Sequence, residues 1–270
     1  MIEIKGVHKR FNPGSVNEVY ALRGLDLSVA DGEFVTIIGT NGSGKSTLLN
    51  AVAGEFQPDE GTIAIAGRDV TVAREFQRAA LVARVFQNPF LGTVPGMSVA
   101  ENLHLASLRG GAAWPRLGLT RRRREDYRDR VLALEMGLED RLENTIGTLS
   151  GGQRQALTLL MAVMNAPLVL LLDEHTAALD PKSAAQVIKL TRQFVEDRGL
   201  TTLMVTHSMR QALDLGTRTI MMHRGQVIED ISLAQKRRLT PEDLLERFAE
   251  LRRGEQLTDD MLDQLRRAYV

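Results

Sequence analysis

Apolar and polar positions along the 270-residue chain follow two rhythms. Short apolar runs rich in β-branched residues predict strands at Ile2–Val7, Leu25–Val29, Glu33–Ile38, Gly61–Gly67 and Leu81–Phe86. Later runs predict more at Leu168–Leu172, Leu200–Thr206, Arg218–His223 and Gln226–Asp230. Helical spacing predicts helices over Thr47–Ala53, Ser98–Leu108, Arg121–Met136, Arg154–Met164, Pro181–Arg198 and Met209–Leu215. Local punctuation supports these bounds. Asn12–Gly14, Asp31-Gly32 and Arg224-Gly225 read as turns, and Gly54 and Gly216 end helices. Ser98 and Glu101 form a capping box, and Pro181 sits in a first turn. The run LVLLL at 168–172 lacks alternation, as a strand buried on both faces should. Strand–helix alternation predicts an α/β fold with a mostly parallel sheet and helices on both sides, beside an antiparallel β subdomain.

The alternation breaks between about residues 88 and 165. Pro89, Gly92, Pro95 and Gly96 mark a loop, helices follow, and Gly110–Leu119 is a second loop. This block reads as a helical subdomain inserted into the α/β core. The basic run Arg121–Arg124 is followed at once by Glu125, Asp126 and Asp129, so it reads as a solvated helix face, not a nucleic-acid patch. After residue 235 the chain reads as a helical tail, 236–270. One helix opens at Thr240-Pro241-Glu242-Asp243 and ends at Gly254; another opens at Thr258-Asp259-Asp260. Leu244, Leu245, Phe248 and Leu251 share a face, as do Met261, Leu262 and Leu265; these stripes suit packing on the core or a dimer contact.

Composition narrows the function. Lys+Arg and Asp+Glu number 34 each, so no global charge points to nucleic acid. The absence of cysteine excludes disulfides, thiolate metal sites and cysteine nucleophiles, and suits a reducing compartment. The N-terminus lacks the apolar core of a signal peptide, and the most apolar stretch, Leu157–Leu172, is interrupted by Asn165 and Pro167. If the protein works at a membrane, another chain must span it.

Chemistry centres on Gly39, Thr40, Asn41, Gly42, Ser43, Gly44, Lys45, Ser46 and Thr47, between a strand and a helix. This is a phosphate-binding P-loop. Glycines let backbone N–H groups close on phosphate oxygens, and the helix N-terminus adds unpaired donors. Lys45 supplies a point charge, and the Ser46 hydroxyl can ligate Mg²⁺. Asp173 and Glu174 end the LVLLL strand, where ligands bind in open α/β sheets. Adjacent strand residues face opposite ways, so the roles divide: Asp173 for Mg²⁺, Glu174 as general base toward water. Ser150, Gly151, Gly152 and Gln153 open a second helix that can receive an anion. An ordinary N-cap explains Ser150 but not two adjacent glycines. Two phosphate cradles in one chain suggest a head-to-tail dimer, with each ATP shared between two copies.

These motifs together resemble the ATP-binding cassette subunit of an ABC transporter over about residues 1–232, which implies a P-loop NTPase domain spanning 1–235. GTNGSGKST resembles the family's Walker A, LVLLLDE its Walker B and LSGGQ its signature. The resemblance implies that Gln87 senses Mg²⁺ and couples to the membrane partner, that His207 contacts the γ-phosphate, and that Asp180 belongs to the D-loop. It implies that Phe11, or else Tyr20, stacks on adenine. It also implies the cofactors ATP and Mg²⁺, integral membrane permease subunits, an extracytoplasmic solute-binding protein and a peripheral place on the cytoplasmic side of the membrane. His175 departs from the proline common after the glutamate. DEHTAALDP with QNPFLGTVPGMSVAENL resembles bacterial import ATPases whose permeases are of the branched-chain amino-acid type. The expectation is therefore an ATPase driving solute uptake. A soluble ABC ATPase without a permease, as in iron–sulfur cluster assembly, is the alternative.

Overall fold

In a computed structural model the described residues are 1–110 and 118–247. The chain runs β1 (Ile2–Phe11), β2 (Val19–Val29), β3 (Phe34–Gly39), α1 (Lys45–Ala53), β4 (Glu60–Ile65), β5 (Arg68–Asp69), α2 (Glu75–Arg78) and β6 (Val82–Val85). It continues through α3 (Val99–Ser107), α4 (Arg121–Leu132), α5 (Gly151–Val163), β7 (Val169–Asp173), α6 (Pro181–Arg198) and β8 (Thr201–Val205). Last come α7 (Met209–Asp214), β9 (Arg218–His223), β10 (Gln226–Ser232) and α8 (Leu233–Lys236).

The larger sheet has the order β10-β9-β3-β8-β7-β6, and only the β9–β10 pair is antiparallel. The smaller sheet, β2-β1-β4-β5, is antiparallel throughout. Strict alternation on β7 explains its unbroken apolar run. Val169 and Leu171 face a core shared with α1 residues Leu48, Leu49 and Val52 and with Ile2, Ile4 and Ile63 of the smaller sheet. Leu170 and Leu172 face a second core built from α5 and α6. Registers Ile37↔Val205, Asp173↔Val205 and Val85↔Leu172 bring the C-terminal ends of β3, β8, β7 and β6 level at one edge.

Several bounds differ from the sequence reading. β1 reaches Phe11 and β2 starts at Val19, because the two pair as a long hairpin down to Phe11↔Val19, with register shifts that hide the alternation. α4 stops at Leu132, short of Met136, since Glu135 and Gly137 turn left-handed (φ 55° and 66°). α5 starts at Gly151, before Arg154, because Ser150 and Gln153 cap each other reciprocally. The short α2 and β5 carry no periodicity long enough to predict.

In the tail, Leu244 is fully buried against Ile38, Ala212, Met221 and Ile231, which favours packing on the core. Thr240 and Asp243 exchange capping bonds at the predicted helix start, and residues 241–247 are helical. Most of the Gly110–Leu119 loop, and the predictions at Phe248, Leu251 and Gly254 through the last helix, lie outside the described residues.

Candidate active site

The P-loop follows β3 directly, and its backbone demands glycine at two places. Gly44, the N-cap of α1, has φ 97°, and a Cβ there would lie 2.6 Å from the Ala21 carbonyl. A Cβ on Gly39 would meet the Met222 carbonyl at 2.4 Å and Ser43 Oγ at 2.5 Å. The loop thus passes too close to its neighbours for any side chain. Lys45 is buried and folds back over the loop, its Nζ donating to the carbonyls of Gly39 (2.9 Å) and Thr40 (3.0 Å). Burial lowers its pKa, while the nearby charges of Glu174 and Asp173 act to raise it. The second residue of α1, Ser46, is exposed, as are Asn41 and Gly42; Thr47 is partly buried. Buried Ser43 Oγ has no hydrogen-bond partner.

The two carboxylates part company, though not by strand alternation, since β7 ends at Asp173 and Glu174 already lies beyond it in a left-handed turn. Asp173 Oδ2 accepts from Arg84 Nη2 at 2.8 Å. Glu174 takes a left-handed conformation (φ 46°), its N–H donates to the Val205 carbonyl at 3.0 Å, and its Oε1 lies 2.5 Å from His207 Nε2. His207 follows β8 and is half exposed. One edge of the sheet therefore brings together the P-loop, Asp173, Glu174 and His207. Gln87 lies just past the end of neighbouring β6, exposed.

His175 turns inward. It is 1% exposed, its Nε2 lies 3.0 Å from Thr191 Oγ1, and burial pushes its pKa down to about 4. Thr191 Oγ1 donates to the Val187 carbonyl at 2.8 Å, so His175 Nε2 must carry the proton. The residue is a neutral strut between the turn after Glu174 and α6.

The signature is a working N-cap. Ser150 Oγ accepts from Gln153 N at 3.2 Å, and Gln153 Oε1 accepts from Ser150 N at 3.1 Å. Gln153 Nε2 also donates to the Met136 carbonyl at 3.0 Å. Packing accounts for one of the two glycines: a Cβ on buried Gly152 would sit 2.5 Å from Ser183 Cβ on α6. Gly151 is exposed, and a Cβ there would meet Leu179 only at an ordinary 3.5 Å. Asp180 caps α6, its Oδ1 accepting from the N–H groups of Lys182 (3.1 Å) and Ser183 (3.0 Å). A hydrogen bond from the Ser183 side chain, then those N–H bonds, hold its carboxyl below the usual range.

Of the two aromatic candidates, Phe11 lies edge-on to Phe56 (5.3 Å between centroids) with Lys9 over both rings. Tyr20 bonds His8 and is flanked by the guanidinium groups of Arg10 and Arg23, at 4.3 and 5.1 Å from its ring centre. Both candidate rings thus already carry a cation, Lys9 on Phe11 and the two arginines on Tyr20.

Sequence reasoning missed two arginines. Buried Arg78 gives its guanidinium to the carbonyls of Ala51, Val52, Val70 and Ala73, tying the C-terminal end of α1 to the chain before α2. No spacing signals it. Arg84 binds Asp173 and Glu55, and it could have been noticed as a charge inside an apolar strand.

A P-loop at the end of a central parallel strand, with carboxylates at the same edge at the end of β7, one strand beyond its neighbour β8, defines a P-loop nucleotide hydrolase. The family described as ABC transporter matches residues 22–177, and the chain belongs to it, as the ATP-binding, ATP-hydrolysing subunit of an ABC transporter. It is 44% identical over 250 residues to the tyrosine transport ATP-binding protein of Clostridioides difficile (strain R20291), covering 92% of this chain and 98% of that protein. It is 36% identical to the macrolide export ATP-binding/permease protein MacB of Nitrobacter winogradskyi, covering 85% of this chain but only 34% of that longer protein. Among solved structures, the dimeric post-hydrolysis state of the ATP-binding cassette MJ0796, bound to ADP and Pi, superposes with a TM-score of 0.73 at 29% identity, covering 86% of this chain and 99% of that one. Among the described residues no helix is long and apolar enough to cross a membrane.

Proposed function

We propose that this chain hydrolyses Mg²⁺-ATP as half of a nucleotide-sandwich dimer and so energises uptake of a small solute through separate membrane permease subunits, supplied by an extracytoplasmic solute-binding protein. It works peripherally on the cytoplasmic face of the membrane, with residues 1–235 as the motor domain. The observation that carries the reading is the 44% identity over 98% of a tyrosine transport ATP-binding protein, which makes an aromatic amino acid the first solute to test. The donor set suits Mg²⁺. Ser46 and the second Asp173 oxygen are hard oxygen ligands, and Gln87 adds an amide oxygen. No cluster of three or more His, Asp or Glu side chains forms a cage among the described residues, which fits a cation that takes most ligands from phosphate and water. When bound, Mg²⁺ would neutralise charge on the β- and γ-phosphates. Glu174 takes the proton of the attacking water, and His207, 2.5 Å from it, fixes its carboxylate. Phe11 stacks on adenine, and Ser150, Gly151 and the helix behind them face the partner copy's ATP; the dimeric state of the MJ0796 cassette supports that pairing.

The permease docks in a groove of about 400 Å³ beside the Gln87–Met97 loop, lined by Pro89, Leu91, Val94, Leu105 and Met161. Leu91 is 69% exposed and Val94 43%, more than a packed loop would leave in water. Single cysteines here, in a chain with none of its own, should crosslink to co-purified membrane subunits; crosslinks found only elsewhere would move the docking site. The 36% identity to an export protein gives the opposite direction a specific basis. Reconstituting the chain with its permease in vesicles decides it. Labelled tyrosine should move toward the compartment that holds ATP; movement away from ATP would make the complex an exporter.

A further inference from the structure

Arg84 stands in the middle of β6, where Val82, Ala83 and Val85 are all buried, and its own side chain is 12% exposed. A guanidinium stays charged at any working pH, so it is tolerated there only if paired. Its fork is divided between two acids. Nη2 donates to Asp173 Oδ2 at 2.8 Å, and Nη1 pairs with Glu55, the residue after the Gly54 cap of α1. Its Cζ lies 4.6 Å from the centre of the Phe86 ring. Nε is buried with no partner, so one donor is forgone to keep the other two on the acids. Among the described residues, Arg84 is the one side chain hydrogen-bonded to Asp173.

We propose that Arg84 is the positioning residue for the Asp173 carboxylate, holding one oxygen so that the other meets Mg²⁺ in a fixed direction. A carboxylate already held in place loses little freedom when the cation arrives. The guanidinium would by itself repel a cation, and Glu55 offsets that: the trio Glu55, Arg84 and Asp173 carries one net negative charge. Glu55 thus both anchors Arg84 and keeps the site attractive.

The role rests on Asp173 being the Mg²⁺ ligand, and the test separates the two claims. Binding of a fluorescent ATP analogue to the full chain is titrated with Mg²⁺ and, separately, measured in EDTA. Arg84→Met should raise the Mg²⁺ midpoint about tenfold or more, as loss of a group orienting a metal ligand does, and leave affinity in EDTA within about twofold. Arg84→Lys should recover part of the shift. Glu55→Gln should shift the midpoint the same way, and adding it to Arg84→Met should shift the midpoint by less than it does in the wild type, because only its charge and not its anchoring of Arg84 is then lost. An unchanged or lowered midpoint in Arg84→Met, with Asp173→Asn raised, would overturn the positioning role alone. If Asp173→Asn leaves the midpoint in place, the ligand assignment falls and takes this role with it. Loss of affinity in EDTA together with a lower melting temperature, unrescued by lysine, would reduce Arg84 to a structural strut.

Discussion

Gly151 and Gly152 are adjacent in the first turn of α5, yet the structure gives them different reasons to be glycine. Neither has positive φ, so backbone freedom is not the reason for either. Gly152→Ala gains helix propensity, at most about 1 kcal/mol. Against that, its methyl would sit 2.5 Å from Ser183 Cβ and Oγ, and overpacking of that kind costs about 1–3 kcal/mol. With the full propensity gain the net loss is about 0–2 kcal/mol, a fall in melting temperature of up to about 8 °C for a chain of this size. Ser183→Gly removes both offending atoms and should restore most of it. Gly151→Asp behaves oppositely. Its Cβ meets Leu179 at 3.5 Å without a clash, and a carboxylate in the first turn gains about 0.3–1 kcal/mol from the helix dipole. The isolated chain should melt no lower than wild type and bind ATP at the P-loop normally. In the closed pair, however, the new carboxylate would face the partner's γ-phosphate. At about 4 Å and an effective dielectric of about 20, repulsion is about 4 kcal/mol per unit charge, close to a thousandfold in the closing equilibrium. The assay is sedimentation velocity of Glu174→Gln with Mg²⁺-ATP, with and without Gly151→Asp, alongside thermal melts. A nucleotide-dependent dimer that survives Gly151→Asp would refute the partner-facing role, and a melt lowered as far as that of Gly152→Ala would refute the division of labour.

Glu174→Gln should keep ATP binding and lower steady-state hydrolysis by about 10²–10⁴-fold, because the amide cannot accept the proton; near wild-type turnover would place the base elsewhere. Lys45→Ala should weaken ATP by about 1.5–3 kcal/mol in a nucleotide titration, the worth of one charge-assisted phosphate contact, and equal affinities would remove that contact. Folding keeps His175 neutral, with its pKa pushed down to about 4 by burial, so the unfolded chain binds more protons between about pH 4 and 6.5. Stability measured by urea unfolding should therefore fall as pH is lowered from about 6.5 to 4, by up to about 3 kcal/mol, and His175→Leu should flatten the slope; an unchanged slope would assign the acid sensitivity to other groups.

What the sequence made legible was whatever depends on local order. β3, the P-loop and α1 are contiguous, and Gly39, Gly44 and Lys45 could be placed before any tertiary contact was known. α6 and β9 came out at their observed ends, because Pro181 and Gly199 bracket one and Gly216 and Gly225 the other. What stayed hidden depends on residues far apart in the chain. Arg84 and Asp173 are 89 positions apart, and nothing local says that a strand arginine meets a metal-site acid. Gly152 read as evidence for anion binding because Ser183, which forbids a side chain there, lies on another helix. The hairpin of β1 and β2 outran its periodicity because register shifts reset the alternation.

The polar groups expected to meet nucleotide each have a partner within the chain. Lys45 is held by the carbonyls of its own loop, Asp173 by Arg84, Glu174 by His207, and Asp180 by the N–H groups of α6. Ser150 Oγ accepts from Gln153 N, yet its hydroxyl proton remains available to an anion. Buried or half-buried charges left unpaired would cost several kcal/mol each, and these internal bonds offset that. They also set the order of events. ATP must displace the Gly39 and Thr40 carbonyls from Lys45, which phosphate does easily because it is charged and they are not. The signature needs no such exchange: Gly151 is exposed, and its helix already points donors outward. Nucleotide should therefore load first on the P-loop of one copy, and closure by the other copy's Ser150 and Gly151 should follow. In rapid mixing, binding fluorescence should rise in proportion to ATP concentration, whereas the dimer signal should depend on protein concentration and lag behind it. A dimer signal that precedes nucleotide binding would reverse that order.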